Sequence, residues 1–134
     1  MEIASIYKIS TGEIKRIVTG TRSGVIAQIQ AGESISFGYA DSNTQYVQQS
    51  GYVDRPVQQI TLSKTSLAAD GVDLITISRA VDGSQLTAVN MQTGETVTGA
   101  ISNNDEFYTN MPGDIKITIS LWPYQDYEVT INAY

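Results

Sequence analysis

The chain alternates apolar and polar residues in short runs, and turn residues separate the runs. Residues 1–10 alternate loosely and end at Thr11-Gly12, a turn, after which residues 13–18 read as the second arm of a hairpin. Residues 24–30 place Val25, Ala27 and Ile29 on one face and Ile26, Gln28 and Gln30 on the other, which predicts a strand. Ala31-Gly32-Glu33 turns the chain into a strand over 34–39, and Asp41-Ser42-Asn43 is a loop because these side chains bond their own backbone. A short strand over 44–48, a turn at Gln49-Ser50-Gly51 and a strand over 52–54 complete this part, about six strands in all.

The next part has its own rhythm. Residues 57–64 are extended, 66–71 form a loop, and 72–79 alternate strictly, with Val72, Leu74 and Thr76 opposing Asp73, Ile75 and Ile77. Asp82-Gly83, Gln92-Thr93-Gly94, residues 102–105 and Met111-Pro112-Gly113 are turns between strands at 85–91, 95–101, 106–110 and 114–122. Ile115, Ile117, Ile119 and Leu121 share one face of the last of these, and Pro123 ends it, bulges it or marks an edge. Tyr127, Val129, Ile131 and Ala133 mark the closing strand. About seven strands with turns every 8–12 residues are the pattern of a small Greek-key sandwich.

Composition supports this class. Ile (16), Val (10) and Thr (14) make up 40 of 134 residues, and these β-branched side chains fit a pleated surface. Leu, Lys and Glu are sparse, and no apolar stripe of helical period is present. The expectation is an all-β chain. Residues 1–56 would form a small β meander or open barrel, and residues 57–134 an Ig-like Greek-key β-sandwich. Arg55-Pro56-Val57 is the linker, since Pro lacks an N–H and holds Arg55 extended. Charge changes at the same place. Residues 1–57 carry five basic and five acidic side chains, whereas 58–134 carry three basic and nine acidic, so the whole net charge of −6 lies in the second part.

That balance bears on function. An acidic chain with no Lys/Arg cluster repels phosphate backbones, so no nucleic-acid partner is expected. No apolar run approaches the ~18–20 residues of a transmembrane helix, and no secretory signal pattern opens the sequence. With no Cys and no His, thiolate chemistry, disulfides, a Ser–His–Asp triad and a zinc-hydrolase site are excluded in this chain alone. No phosphate-binding glycine loop is present, and no cofactor, metal or enzymatic activity is expected. Asp70 with Asp73, and Asp105 with Glu106, could converge on calcium, but they read better as turn-forming acids, since no D-x-D-x-D-G loop surrounds them. Lys15, Arg16 and Arg22 are the only local basic group and read as a solvated strand–loop edge.

Eight Tyr against two Phe is a skewed ratio, and Tyr suits interfaces and sugar stacking. Each also reads as a strand residue half buried against its own sheet. The candidate contact surface is Tyr39, Tyr46, Trp122, Tyr124 and Tyr127, with Trp122 expected in the core and Tyr124 more exposed. Short open sheets leave unpaired N–H and C=O groups, and a first unit this small has little core of its own; docking on a partner or self-association answers both.

Two stretches carry a family resemblance. Leu67-Ala68-Ala69-Asp70-Gly71-Val72-Asp73, followed by Leu74-Ile75-Thr76-Ile77, resembles the opening of bacterial Ig-like domains of the invasin/intimin type. Gly32-Glu33-Ser34, then the run Gly38 to Val47 (GYADSNTQYV), then Asp54-Arg55-Pro56, is similar to small tailed-bacteriophage proteins with an Ig-like C-terminal domain, as is Leu121-Trp122-Pro123-Tyr124 before the final strand. The chain departs from that pattern at Gln45, where His is expected. The resemblance implies a non-enzymatic virion component, associated with tail, baseplate or fibre and present in several copies or as a homo-oligomer among other virion proteins. It leaves open a tail-fibre assembly factor, a head-decoration protein, and an adhesion module that stacks cell-surface glycan on Trp122, Tyr124 and Tyr127.

Overall fold

The structure, a computed structural model, describes residues 1–49 and 51–134. The chain is all-β, built among the described residues from open sheets, none of which closes, and it divides into two compact units, Met1–Pro56 and Val57–Tyr134.

In the first unit, β1 (Glu2–Lys8) pairs antiparallel with β2 (Ile14–Gly20) on one side and with β3 (Glu33–Phe37) on the other. The predicted hairpin turn forms: the Gly12 N–H donates to the Lys8 carbonyl at 2.7 Å with Gly12 at φ 77°. β4 (Gln45–Gln48) and β5 (Gly51–Asp54) make a second, two-stranded sheet. Ser50, at the centre of the expected turn between them, lies outside the described residues.

The strand expected over 24–30 is not there. Its place is taken by α1 (Arg22–Ile26) and turns after it. Thr21 caps the helix: its side chain accepts from the Gly24 N–H at 3.1 Å, and its carbonyl accepts from Val25 N–H at 2.9 Å. This local capping outweighs the alternation, since only Val25 of the helix is buried and Ile26 faces outward.

α1 and the β4–β5 sheet account for an unusual feature of β1. Ala4, Ser5 and Ile6 are buried in succession, although neighbours on a strand point to opposite faces. Helix-side contacts, including Arg22 stacked 4.1 Å over the Phe37 ring, lie on the Ala4 and Ile6 face. On the Ser5 face, Tyr52 of β5 reaches Ser5, and a small core of Ile14, Ala40 and Val47 is flanked by Tyr7 and Tyr52.

In the second unit, a five-stranded sheet has the order β10-β9-β12-β13-β7 and a three-stranded one the order β11-β8-β6. The strands are β6 (Thr61–Leu62), β7 (Ser66–Leu67), β8 (Ile75–Ser78), β9 (Ser84–Asn90), β10 (Thr96–Ile101), β11 (Asp105–Phe107), β12 (Gly113–Ser120) and β13 (Tyr127–Ala133). All neighbours are antiparallel except β7, which runs parallel to β13. Both sheets feed one core. β8 gives Ile75 and Ile77, β9 Leu86 and Ala88, β12 Ile115, Ile117 and Ile119, and β13 Ile131 and Ala133. Each fully buried Ile contributes roughly 1.5–3 kcal/mol.

The period-two reading of β12 and β13 holds, but residues 72–79 differ. The strand starts only at Ile75, because the Asp70 carboxylate accepts from the Val72 and Asp73 N–H groups at 2.9 and 2.8 Å and keeps them in a turn. Val72 is therefore 77% exposed, and the buried face belongs to Ile75 and Ile77. Within the expected 66–71 loop, Ser66 and Leu67 form β7.

Candidate functional site

The five aromatic side chains do not behave as one group. Tyr39 follows β3 in the first unit and is 69% exposed, whereas Tyr46 lies half-buried in β4, opposite Val53. In the second unit, Trp122 and Tyr124 share the β12–β13 connection, flanking a cis Trp122-Pro123 peptide. Trp122 is half-buried, as is Tyr124, which corrects the expectation of a core tryptophan: β12 ends at Ser120 and its last core side chain is Ile119. Tyr127 opens β13 and packs on the main core.

The charged residues are tied into local structure. Arg16 and Glu33 form a two-pronged pair spanning the central strand β1, with both N–O distances at 2.8 Å, and Arg16 also donates to the Gln28 carbonyl at 2.6 Å. Glu33 further accepts from the Gln30 N–H at 2.9 Å. The guanidinium first, and that backbone donor second, hold the Glu33 carboxyl below its ordinary pKa. Lys15 faces Glu13 at 3.7 Å and Arg22 faces Glu2 at 3.4 Å. Asp73 pairs with Lys64 and accepts from the Ala68 N–H at 2.8 Å; these lower its pKa, the lysine most. Asp70 is lowered by the N–H groups of Asp73 and Val72. Asp105 accepts from the Ser102 N–H at 2.8 Å, closing the predicted turn. Among the described residues no group of three or more Asp or Glu is placed to hold a metal ion, and no helix is long and apolar enough to cross a membrane.

One concave surface was not foreseen from the sequence. A cleft of about 350 Å³ opens in the second unit, lined by Ala88, Asn90, Glu95, Val97, Glu106, Phe107, Tyr108, Thr109, Met111 and Ile115. It arises from a mismatch between the sheets. The pairing of Val97 with Ala88 and of Gly99 with Leu86 places Val97 and Gly99 on the core-facing side of β10. The opposing sheet ends there in β11, only three residues long. Val97 is consequently 64% exposed although it faces inward, Tyr108 is 61% exposed, and a Cβ on Gly99 would meet nothing within 4 Å. The rim carries the carboxylates of Glu95 and Glu106.

No family model matches the chain, and neither the curated proteins nor the solved structures contain a match to it.

Proposed function

We propose that this chain is a non-enzymatic structural component of a tailed phage particle, associated with its tail, baseplate or fibre. The charge-neutral first unit docks among other virion proteins, and the acidic second unit is presented as an Ig-like Greek-key sandwich.

The observation that supports the Ig-like part of this reading is the strand arrangement of the second unit; the phage part rests on the sequence resemblance. Its opening segment is split: β6 joins one sheet, and β7 crosses to lie parallel to the final strand β13 of the other. β8 and β9, consecutive in the chain, belong to opposite sheets, as do β11 and β12. An Ig-like sandwich has its sheets linked in this way. The resemblance of residues 67–77 to Ig-like domains falls on the turn that joins β7 to β8, where Gly71 adopts φ 75° beside the capping Asp70. Most of the phage-like resemblance falls in the first unit, across β3, β4 and β5, and its Leu121-Trp122-Pro123-Tyr124 part in the β12–β13 connection of the second.

Quantitative mass spectrometry of particles purified from producing cells tests the proposal. A few copies per particle, in a multiple of the tail's rotational symmetry, support it. Copies comparable in number to the major capsid protein indicate head decoration instead. Absence from particles, with abundance in the lysate, overturns the structural role in favour of an assembly factor.

A further inference from the structure

We propose that β10 is a receptor edge: it accepts an extended segment of a different protein as an added strand, one that alternates aliphatic side chains with lysine or arginine. This reading stands independently of the phage assignment.

The edge is open, and it differs from the other edges of the same unit. β10 ends the order β10-β9-β12-β13-β7, so among the described residues only β9 pairs with it. β6 has two residues, and β11 has three, two of them acidic. The outer side of β13 is partly taken by β7. β10 is six residues, TVTGAI, with no charge and no proline, so it lacks the devices that ordinarily block strand addition. Its register states which groups are available. The Asn90 N–H donates to the Glu95 carbonyl at 2.8 Å, which makes Asn90 and Glu95 a hydrogen-bonded pair. By antiparallel alternation Val97, Gly99 and Ile101 bond toward β9, and the N–H and C=O groups of Thr96, Thr98 and Ala100 point outward.

The cleft specifies side chains. An added strand continues the pleat of β10, so every second side chain lies on the face of Val97 and meets Phe107, Tyr108 and Met111. That space is mostly apolar and accepts aliphatic groups. Glu95 and Glu106 on the rim form no ion pair among the described residues. They sit in a unit with three basic and nine acidic side chains. A second copy of that unit would bring the same net charge of −6 against its own, whereas a basic segment would be drawn to it.

The test uses the full chain and a synthetic peptide that alternates Val with Lys and Thr, with binding followed by fluorescence anisotropy. Binding at micromolar concentration is expected. Methylating one alternate set of peptide amides should weaken it about tenfold or more, and methylating the other set should leave it within about threefold. Glu95→Gln with Glu106→Gln should weaken it about three- to tenfold and flatten its salt dependence. Thr98→Pro, which removes an outward N–H and leaves the β9 pairing intact, should abolish it, and the peptide-side methylations test the same bond without altering the protein. No binding at millimolar peptide, equal effects of the two methylation patterns, or binding unaffected by Thr98→Pro overturns the proposal. Self-association of the chain that Thr98→Pro abolishes would also overturn it, in favour of a second copy at this edge.

Discussion

The Tyr52 hydroxyl lies 3.1 Å from Ser5 Oγ, joining β5 to the centre of β1 across 47 residues of sequence. It is also 3.1 Å from the carbonyls of Ser36 and Gly38, and Ser5 Oγ donates to the Gly38 carbonyl at 3.0 Å. One phenolic proton thus faces a partly buried cluster of acceptors, and this cluster ties the β4–β5 sheet to the three-stranded one. Tyr52→Phe removes that donor while keeping the ring, and should cost about 1–2 kcal/mol of stability. Urea unfolding of the variant, followed by the chemical shifts of β1 and β5, checks this. An unchanged midpoint would mean the ring alone holds the two sheets together.

Gly12 meets β4 more closely than any side chain allows. A Cβ there would fall 1.9 Å from the Val47 carbonyl oxygen, and the Val47 N–H donates to the Gly12 carbonyl at 2.9 Å. The φ of 77° adds its own penalty for an L-residue. Gly12→Ala should destabilise the first unit by more than about 2 kcal/mol. Amide exchange at Val47 should quicken in proportion, whereas the amides of β12 and β13 should be unaffected.

Acid should weaken the chain through Glu33, Asp70 and Asp73. Each carboxyl is held below its ordinary pKa in the folded state, so in the window between the two values the unfolded chain binds more protons. The stabilisation is full above the ordinary carboxylate range, near pH ~4–5, and is lost as pH falls through the lowered folded values. Glu33→Gln should flatten the acid limb of unfolding for the first unit, and Asp73→Asn that of the second. An acid limb unchanged in both variants would assign the dependence to other groups.

Asn90 is a buried side chain whose Oδ1 and Nδ2 are both hydrogen-bonded. Its Oδ1 accepts from the Gln92 and Thr93 N–H groups at 2.9 and 3.2 Å, and its Nδ2 donates to the Pro112 carbonyl at 3.2 Å. Asn90→Ala should cost about 1–3 kcal/mol and expose the amides of Gln92 and Thr93 to exchange. Protection of those amides at the wild-type level would show that the turn forms without the side chain.

What could be read in the sequence was what is local. Gly12, Gly83 and Gly94 mark turns because positive φ is a property of single residues, and Ile115, Ile117 and Ile119 mark a buried face because strand period is a property of neighbours. Residues 24–30 misled because Thr21 lies outside the alternating run, and its cap decides the backbone there. Val72 misled because the Asp70 carboxylate, two residues earlier, claims its N–H. Trp122 misled because the end of β12, and not its side chain, determines its burial. The cleft beside Val97 was invisible for a different reason. It exists only because β10 is long and β11 is short on the facing sheet, a relation between segments that no single window contains.

The parallel pairing of β7 with β13 also sets how the second unit carries load. The Asn132 N–H donates to the Thr65 carbonyl at 3.0 Å, the Tyr134 N–H to the Leu67 carbonyl at 3.0 Å, and the Ala69 N–H to the Tyr134 carbonyl at 2.7 Å. Because the two strands run in the same direction, a pull on Val57 away from Tyr134 draws them past each other lengthwise. These bonds then share the force and fail together, where an antiparallel pair pulled from its open end would unzip one bond at a time. The unit is thus braced against tension applied along the chain by the parallel pairing of β7 with its last strand.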